Sequence, residues 1–154
     1  MNVLCGIIAI CLCTFIGYYL SGRWTDRKIF YSDFLSFHNT LLKEIEFSKK
    51  SLPEIAETLS NDKDFNKYVK NIYFNEQGKI LKFKYLTADE NKFLEDYFLK
   101  IGKSNSQVEN GFLNSLTDEI INKSSQSAVN EVKYKKLYIK IGFLLGLMLF
   151  ILLI

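Results

Sequence analysis

The chain has 154 residues, with 20 Lys and Arg against 17 Asp and Glu and a formal net charge of +3. Seven of the bases crowd beside two uncharged ends: Arg23, Arg27 and Lys28, then Lys133, Lys135, Lys136 and Lys140. The remaining 13 bases face 17 acids, so the middle is mildly acidic, and the basic balance is a membrane-flank signal that gives no support to nucleic-acid binding.

The first element is apolar. Val3 to Leu20 is about 18 residues, enough as a helix to cross a slightly thin hydrocarbon core. Thr14 is its only clearly polar member, and Tyr18 and Tyr19 stand where an aromatic belt would meet the headgroups. A cleaved signal peptide would need a basic start and a small-x-small cleavage site. The stretch before Arg23 has neither, so a retained membrane helix is expected over residues 3–20. All three cysteines, Cys5, Cys11 and Cys13, fall inside it. Ile10 and Leu12 precede the later two, which does not suit a lipid-modified cysteine, and they read as small apolar filler. Cys5, Ala9, Cys13 and Gly17 recur at every fourth position, a small-residue stripe that would let a second membrane helix come close.

Residues 21–136 read as a helical domain. Thr25 is placed to cap a helix that Asp26 favours at its positive end. Phe30, Phe34, Phe37, Leu41 and Ile45 then form one apolar stripe, with His38 beside it, and Lys49-Lys50 close the helix. Ser51-Leu52-Pro53-Glu54 is a capping box for a short helix that buries Leu52, Ile55, Ala56 and Leu59. Phe65, Val69, Ile72 and Tyr73 predict another, stopped near Gly78. Leu81, Phe83 and Tyr85 alternate with lysines as in a strand, but no second strand is there to pair with. A loop or short helix is expected instead. Thr87-Ala88-Asp89-Glu90 is a further capping box, opening a helix with Phe93, Leu94, Tyr97, Phe98 and Ile101 on its apolar face. Gly102 ends that helix, and Ser104-Asn105-Ser106-Gln107 caps the last one. Phe112, Leu116 and Ile120 give this last helix an apolar face, and its stretch from Ser124 to Ser127 is too polar for broad burial.

Residues 137–154 are the second membrane candidate, with Lys140 snorkelling back to the headgroups. No Gly or Pro lies between Phe112 and Ile141, so the last helix is expected to enter this segment without a break. Gly142 and Gly146 form a GxxxG for close approach to the first span, or to a second copy. Both basic flanks face the middle of the chain. By the positive-inside rule the middle is cytoplasmic and both termini lie across the membrane. The expected fold is all-α: two transmembrane helices flanking a cytoplasmic multi-helix bundle.

Catalytic, cofactor-binding and metal-binding signatures are absent from the sequence. There is one histidine, His38, with no CxxC, no Walker motif, no HExxH and no glycine-rich phosphate loop. Glu44/Glu46 and Glu95/Asp96 read as solvated helix faces. About 110 cytoplasmic residues hold one modest core and leave little room for a buried active site. The expectation is a non-enzymatic interaction domain with no cofactor.

The chain resembles the stage III sporulation protein AB family of endospore-forming Firmicutes. The likeness rests on the order of several pieces: the N-terminal span, Glu44-Ile45-Glu46-Phe47, and the turn Leu52-Pro53-Glu54. Leu99-Lys100-Ile101-Gly102-Lys103-Ser104 follows, then Lys135-Lys136-Leu137-Tyr138 and Ile141-Gly142 before the apolar end. It departs from the family pattern at Asn105, which still suits a cap, and at Glu109. The resemblance implies a component of the channel complex between mother cell and forespore, its cytoplasmic domain similar to the type II secretion platform protein. It implies as partners the other channel subunits and a cytoplasmic ATPase, stage III sporulation protein AA. A signalling or regulatory membrane protein with a helical domain is the alternative. That reading needs a ligand pocket or phospho-acceptor site, and the sequence nominates neither.

Overall fold

The structure, a computed structural model, describes residues 2–44, 52–59, 63–74, 81–101 and 106–153. Five helices make it up: α1 (Asn2–Lys43), α2 (Leu52–Thr58), α3 (Asp64–Phe74), α4 (Ala88–Ile101) and α5 (Ser106–Leu153). No strand occurs among the described residues, and the all-α expectation holds. The chain divides into two compact units. One is Met1–Lys28 with Gln126–Ile154, the other Ile29–Ser125.

The expected start of a helix at Thr25 is corrected. α1 is helical through it for 42 residues, so the preceding turn supplies the carbonyls a cap would replace. The Thr25 hydroxyl is released for another use and donates to Glu131 Oε1 at 3.3 Å. The polar groups of the apolar stretch are satisfied within the helix. Thr14 Oγ1 donates to Ile10 O at 2.8 Å and Ser21 Oγ to Tyr18 O at 2.6 Å, which removes most of the cost of carrying them in an apolar segment. Among the described residues α1 is the one helix with an 18-residue stretch long and apolar enough to cross a membrane.

The unit Ile29–Ser125 is built on aromatic rings. Phe30, Phe34, Phe37 and Leu41 of α1 are buried as their spacing predicts, and Tyr31 and His38 join them. Phe65 of α3 meets three rings of α1: it lies 5.3 Å from Phe30, 5.2 Å from Phe34 and 5.4 Å from Phe37. Such ring pairs add about 0.5–1.5 kcal/mol each beyond their area. α4 contributes Leu94, Tyr97, Phe98 and Ile101, and α5 contributes Leu113 and Ile120.

The Thr87 capping box forms. Thr87 N–H donates to Glu90 Oε2 at 2.9 Å and Glu90 N–H to Thr87 Oγ1 at 3.3 Å. The alternating stretch before it is irregular, with a turn at residues 84–86. Asn91 takes the backbone groups that a partner strand would have taken. Its Oδ1 accepts from Phe83 N–H at 3.2 Å, and its Nδ2 donates to Phe83 O and Leu86 O at 3.4 Å each. Phe83 still packs on Phe30 at 4.9 Å, whereas Leu81 is exposed. In the polar stretch of α5, Ser127 is buried while Ser125 and Gln126 are exposed. The expectations at Ile45, Lys49-Lys50, Ser51, Gly78, Gly102, Ser104 and Asn105 lie outside the described residues.

Candidate functional site

Within the unit Met1–Lys28 with Gln126–Ile154, α1 and α5 run antiparallel in backbone contact. A methyl group on Gly17 would stand 2.5 Å from Tyr138 O; on Gly142, 2.6 Å from Cys13 O; on Gly146, 2.7 Å from Ile10 Cα. Each neighbour is backbone, so no side-chain rotation would relieve the clash. Gly6 faces the Phe150 ring, a side chain and not backbone.

The face of α1 that meets α5 is therefore Gly6, Ile10, Cys13 and Gly17, at spacings of 4, 3 and 4 residues. That alternation tracks the helical period of about 3.6. A strict four-residue repeat drifts by about 40° per step, which is why Cys5 is exposed while Gly6 is buried. On α5, Gly142 and Gly146 are both buried.

Beyond the glycines the pair is closed by rings and one carboxylate. Trp24 and Tyr134 stack with centroids 4.1 Å apart. Arg27 lies over the Trp24 ring at 5.6 Å, Lys133 over Tyr134 at 5.6 Å and Lys135 over Tyr18 at 5.8 Å. Glu131 is 8% exposed and takes Lys28 at 3.6 Å and Lys135 at 3.7 Å besides the Thr25 hydroxyl. Buried and shared between cations, it ties two of the basic-flank residues together across the helices. Sequence reasoning passed over Glu131. The Glu-to-Lys135 spacing of four residues was the available signal. Arg23, Lys133, Lys136 and Lys140 of the expected flank are exposed.

The unit Ile29–Ser125 holds two buried polar links of its own. Thr117 Oγ1 donates to Leu113 O at 3.1 Å. With that proton committed, the contact of 3.0 Å with His38 Nε2 makes Nε2–H the donor. Nδ1 then accepts from the Tyr97 hydroxyl at 2.9 Å. Burial pulls the His38 pKa down and pushes the Tyr97 phenol up. In the second link, Tyr31 OH donates to Glu90 Oε1 at 2.8 Å, so the capping glutamate also fastens α1 to α4. Tyr68 is pushed up to about 12 by burial, with Glu95 adding to it.

None of these groups forms a nucleophile–base–orienter arrangement, and no cluster of three or more metal-ligating side chains occurs among the described residues. Of the family-matching turn, Leu52 opens α2, and Pro53 and Glu54 are exposed on it. What the arrangement offers is a surface: apolar and outward on the helix pair, with a basic band beside it.

A family model described as stage III sporulation protein AB (spore_III_AB) matches residues 2–154. No curated protein and no solved structure matches the chain.

Proposed function

Because the chain belongs to the stage III sporulation protein AB family, and is thereby a sporulation-related protein, we propose that it is a membrane-anchored platform component of the channel complex between mother cell and forespore. In this reading residues 3–20 and 137–154 both span the membrane. Residues 21–136 lie in the mother-cell cytoplasm, and both termini lie across the bilayer. The cytoplasmic domain is non-enzymatic. It links a cytoplasmic ATPase, stage III sporulation protein AA, to the other channel subunits, in the manner of the type II secretion platform protein.

The observation that carries the reading is how the helix pair distributes its residues. Glycines and backbone face inward, while Leu12, Phe15, Ile16, Leu144, Met148 and Ile151 point outward. A water-soluble pair would bury these side chains, at about 25 cal/mol for each Å² removed from water. A pair in lipid has no such drive and closes through small residues. The basic residues sit at one end only, as the positive-inside rule asks of a hairpin.

Purification of the full chain from sporulating cells in mild detergent tests the partners. The ATPase and the other channel subunits should come with it. Normal sporulation in a strain lacking this chain would overturn the reading. For the topology, reporters fused at either end should be active outside the cytoplasm and one inserted near Gly78 active inside it.

A further inference from the structure

On α5, Lys133, Lys136, Lys140, Leu144, Met148 and Ile151 follow one another at spacings of 3, 4, 4, 4 and 3 residues. At about 100° per residue they stay within an arc of about 120° and form one stripe. All six are exposed, Leu144 at 63%, Met148 at 61% and Ile151 at 74%. The opposite side of the helix holds Gly142 and Gly146, turned to Cys13 and Ile10. The stripe is cationic at one end and apolar along the rest. From Lys140 to Ile151 it covers about 16 Å, near the half-thickness of about 15 Å for a hydrocarbon core.

The cationic end is not neutralised from within the unit. Its acids are Asp26 and Glu131, and Glu131 is engaged by Lys28, Lys135 and Thr25. Among the described residues none of Lys133, Lys136 and Lys140 is paired with a carboxylate. Lys133 instead lies over the Tyr134 ring, which holds it in the band of Trp24 and Tyr134.

A lysine cluster alone fits any anion. What narrows the ligand is the unbroken run from charge to hydrocarbon on one helix face. An acidic protein surface or a free phosphate would meet the lysines and leave Leu144, Met148 and Ile151 bare. We propose that this stripe binds an anionic phospholipid, its headgroup phosphate on Lys133, Lys136 and Lys140 and an acyl chain along Leu144, Met148 and Ile151. The proposal rests on the membrane-hairpin reading and adds a lipid class to it. Basic residues beside a membrane helix orient the chain in any bilayer. A lysine face aligned with an apolar one also selects which lipid lies next to it.

Trp24 is the chain's one tryptophan and reports on this band without labelling. The full chain is reconstituted into phosphatidylcholine vesicles carrying a fixed minor fraction of brominated lipid, either phosphatidylglycerol or phosphatidylcholine. Quenching of Trp24 by the brominated phosphatidylglycerol should be at least about twofold stronger, and should fall with added salt. The variant Lys133→Gln/Lys136→Gln/Lys140→Gln should lose that preference while brominated phosphatidylcholine still quenches it. Equal quenching by the two lipids in the unaltered chain overturns the proposal, as it would if the lysines serve an acidic protein. A preference that survives the triple substitution overturns the assignment to this stripe. Failure of both lipids to quench, in protein that does not float with the vesicles, overturns the hairpin reading and the proposal with it.

Discussion

The two units solve the problem of holding helices together in opposite ways. In Ile29–Ser125 the large side chains point inward, and Phe65 alone touches rings from Phe30, Phe34 and Phe37. In Met1–Lys28 with Gln126–Ile154 the large side chains point outward, and what touches is Gly17 on Tyr138, Gly142 on Cys13 and Gly146 on Ile10. Burial of aromatic area stabilises the first. Close backbone approach, a ring stack and a shared carboxylate hold the second. α1 and α5 take part in both, so the same helix carries two packing chemistries along its length. The difference follows from the surroundings each unit is read to have, since burying apolar area is rewarded in water and not in lipid.

The largest break in this contrast comes from register. Two residues inserted after Lys136 would turn the following helix by about 200°. Gly142 and Gly146 would leave the face that meets Cys13 and Ile10, while Tyr134 stayed opposite Trp24. Sporulation should be lost with membrane insertion intact. Normal spore counts would show that the second apolar segment acts only as an anchor.

Removing the ring that meets three of α1 comes next. Phe65→Ala should cost about 3–5 kcal/mol by lost transfer energy and the cavity left behind. Denaturant unfolding of the full chain in detergent, followed by far-ultraviolet circular dichroism, measures it. A loss below about 1 kcal/mol would mean that the ring cluster collapses around the gap. Gly142→Leu should cost less, about 1–3 kcal/mol as overpacking, and should act on the helix pair. Quenching of Trp24 should change as its stack on Tyr134 loosens. The same readout should be flat for Gly22→Ala, because a methyl group there meets nothing within 4 Å.

The smallest expected effect concerns pH. His38 has its folded pKa held below the ordinary 6.5 by burial. The unfolded chain therefore takes up a proton near pH 6.5 that the folded chain refuses. Its contribution to stability is complete above that pH and declines as pH falls toward the folded value. The Nδ1 that would be protonated already accepts from Tyr97, so protonation also strands the Tyr97 proton. His38→Gln should flatten the dependence of the unfolding midpoint on pH between about 7 and 5. An unchanged slope would assign the dependence to other groups.

Much of the fold was legible because period and capping are local. The stripe from Phe30 to Leu41 and the Thr87–Glu90 box carry their own signals, and both formed. The choice between strand and loop at residues 81–86 turned on Asn91, whose side chain competes for backbone groups in a way that alternation does not encode. Thr25 misled because a good cap residue is also a good hydrogen-bond donor inside a helix, and its partner, Glu131, lies far away in sequence. The candidate site was legible in part: Cys13, Gly17, Gly142 and Gly146 meet as their spacing predicts, while Gly6 and Ile10 stand where Cys5 and Ala9 were expected. Small residues marked the α1 segment, but which of Gly6, Ile10, Cys13 and Gly17 face the partner depends on a 4-3-4 rhythm, and a repeat of four hides it. Glu131 and the Trp24–Tyr134 stack join residues from the two ends of the chain, and no window of sequence contains both members.

That separation has a consequence for the order of synthesis. Gly6 meets Phe150, and Gly17 meets Tyr138 and Gly142. The glycine face of the first segment precedes its partners by more than 100 residues and stays unmatched until residues 138–150 have been translated. Contacts this distant close a large loop and form late. The aromatic unit lies inside that loop in sequence, and its residues, Ile29–Ser125, are all synthesised before Gly142 and Gly146. The helix pair therefore closes only after the residues of the aromatic unit have been made, and a nascent chain halted before those glycines lacks the residues that meet Cys13 and Ile10.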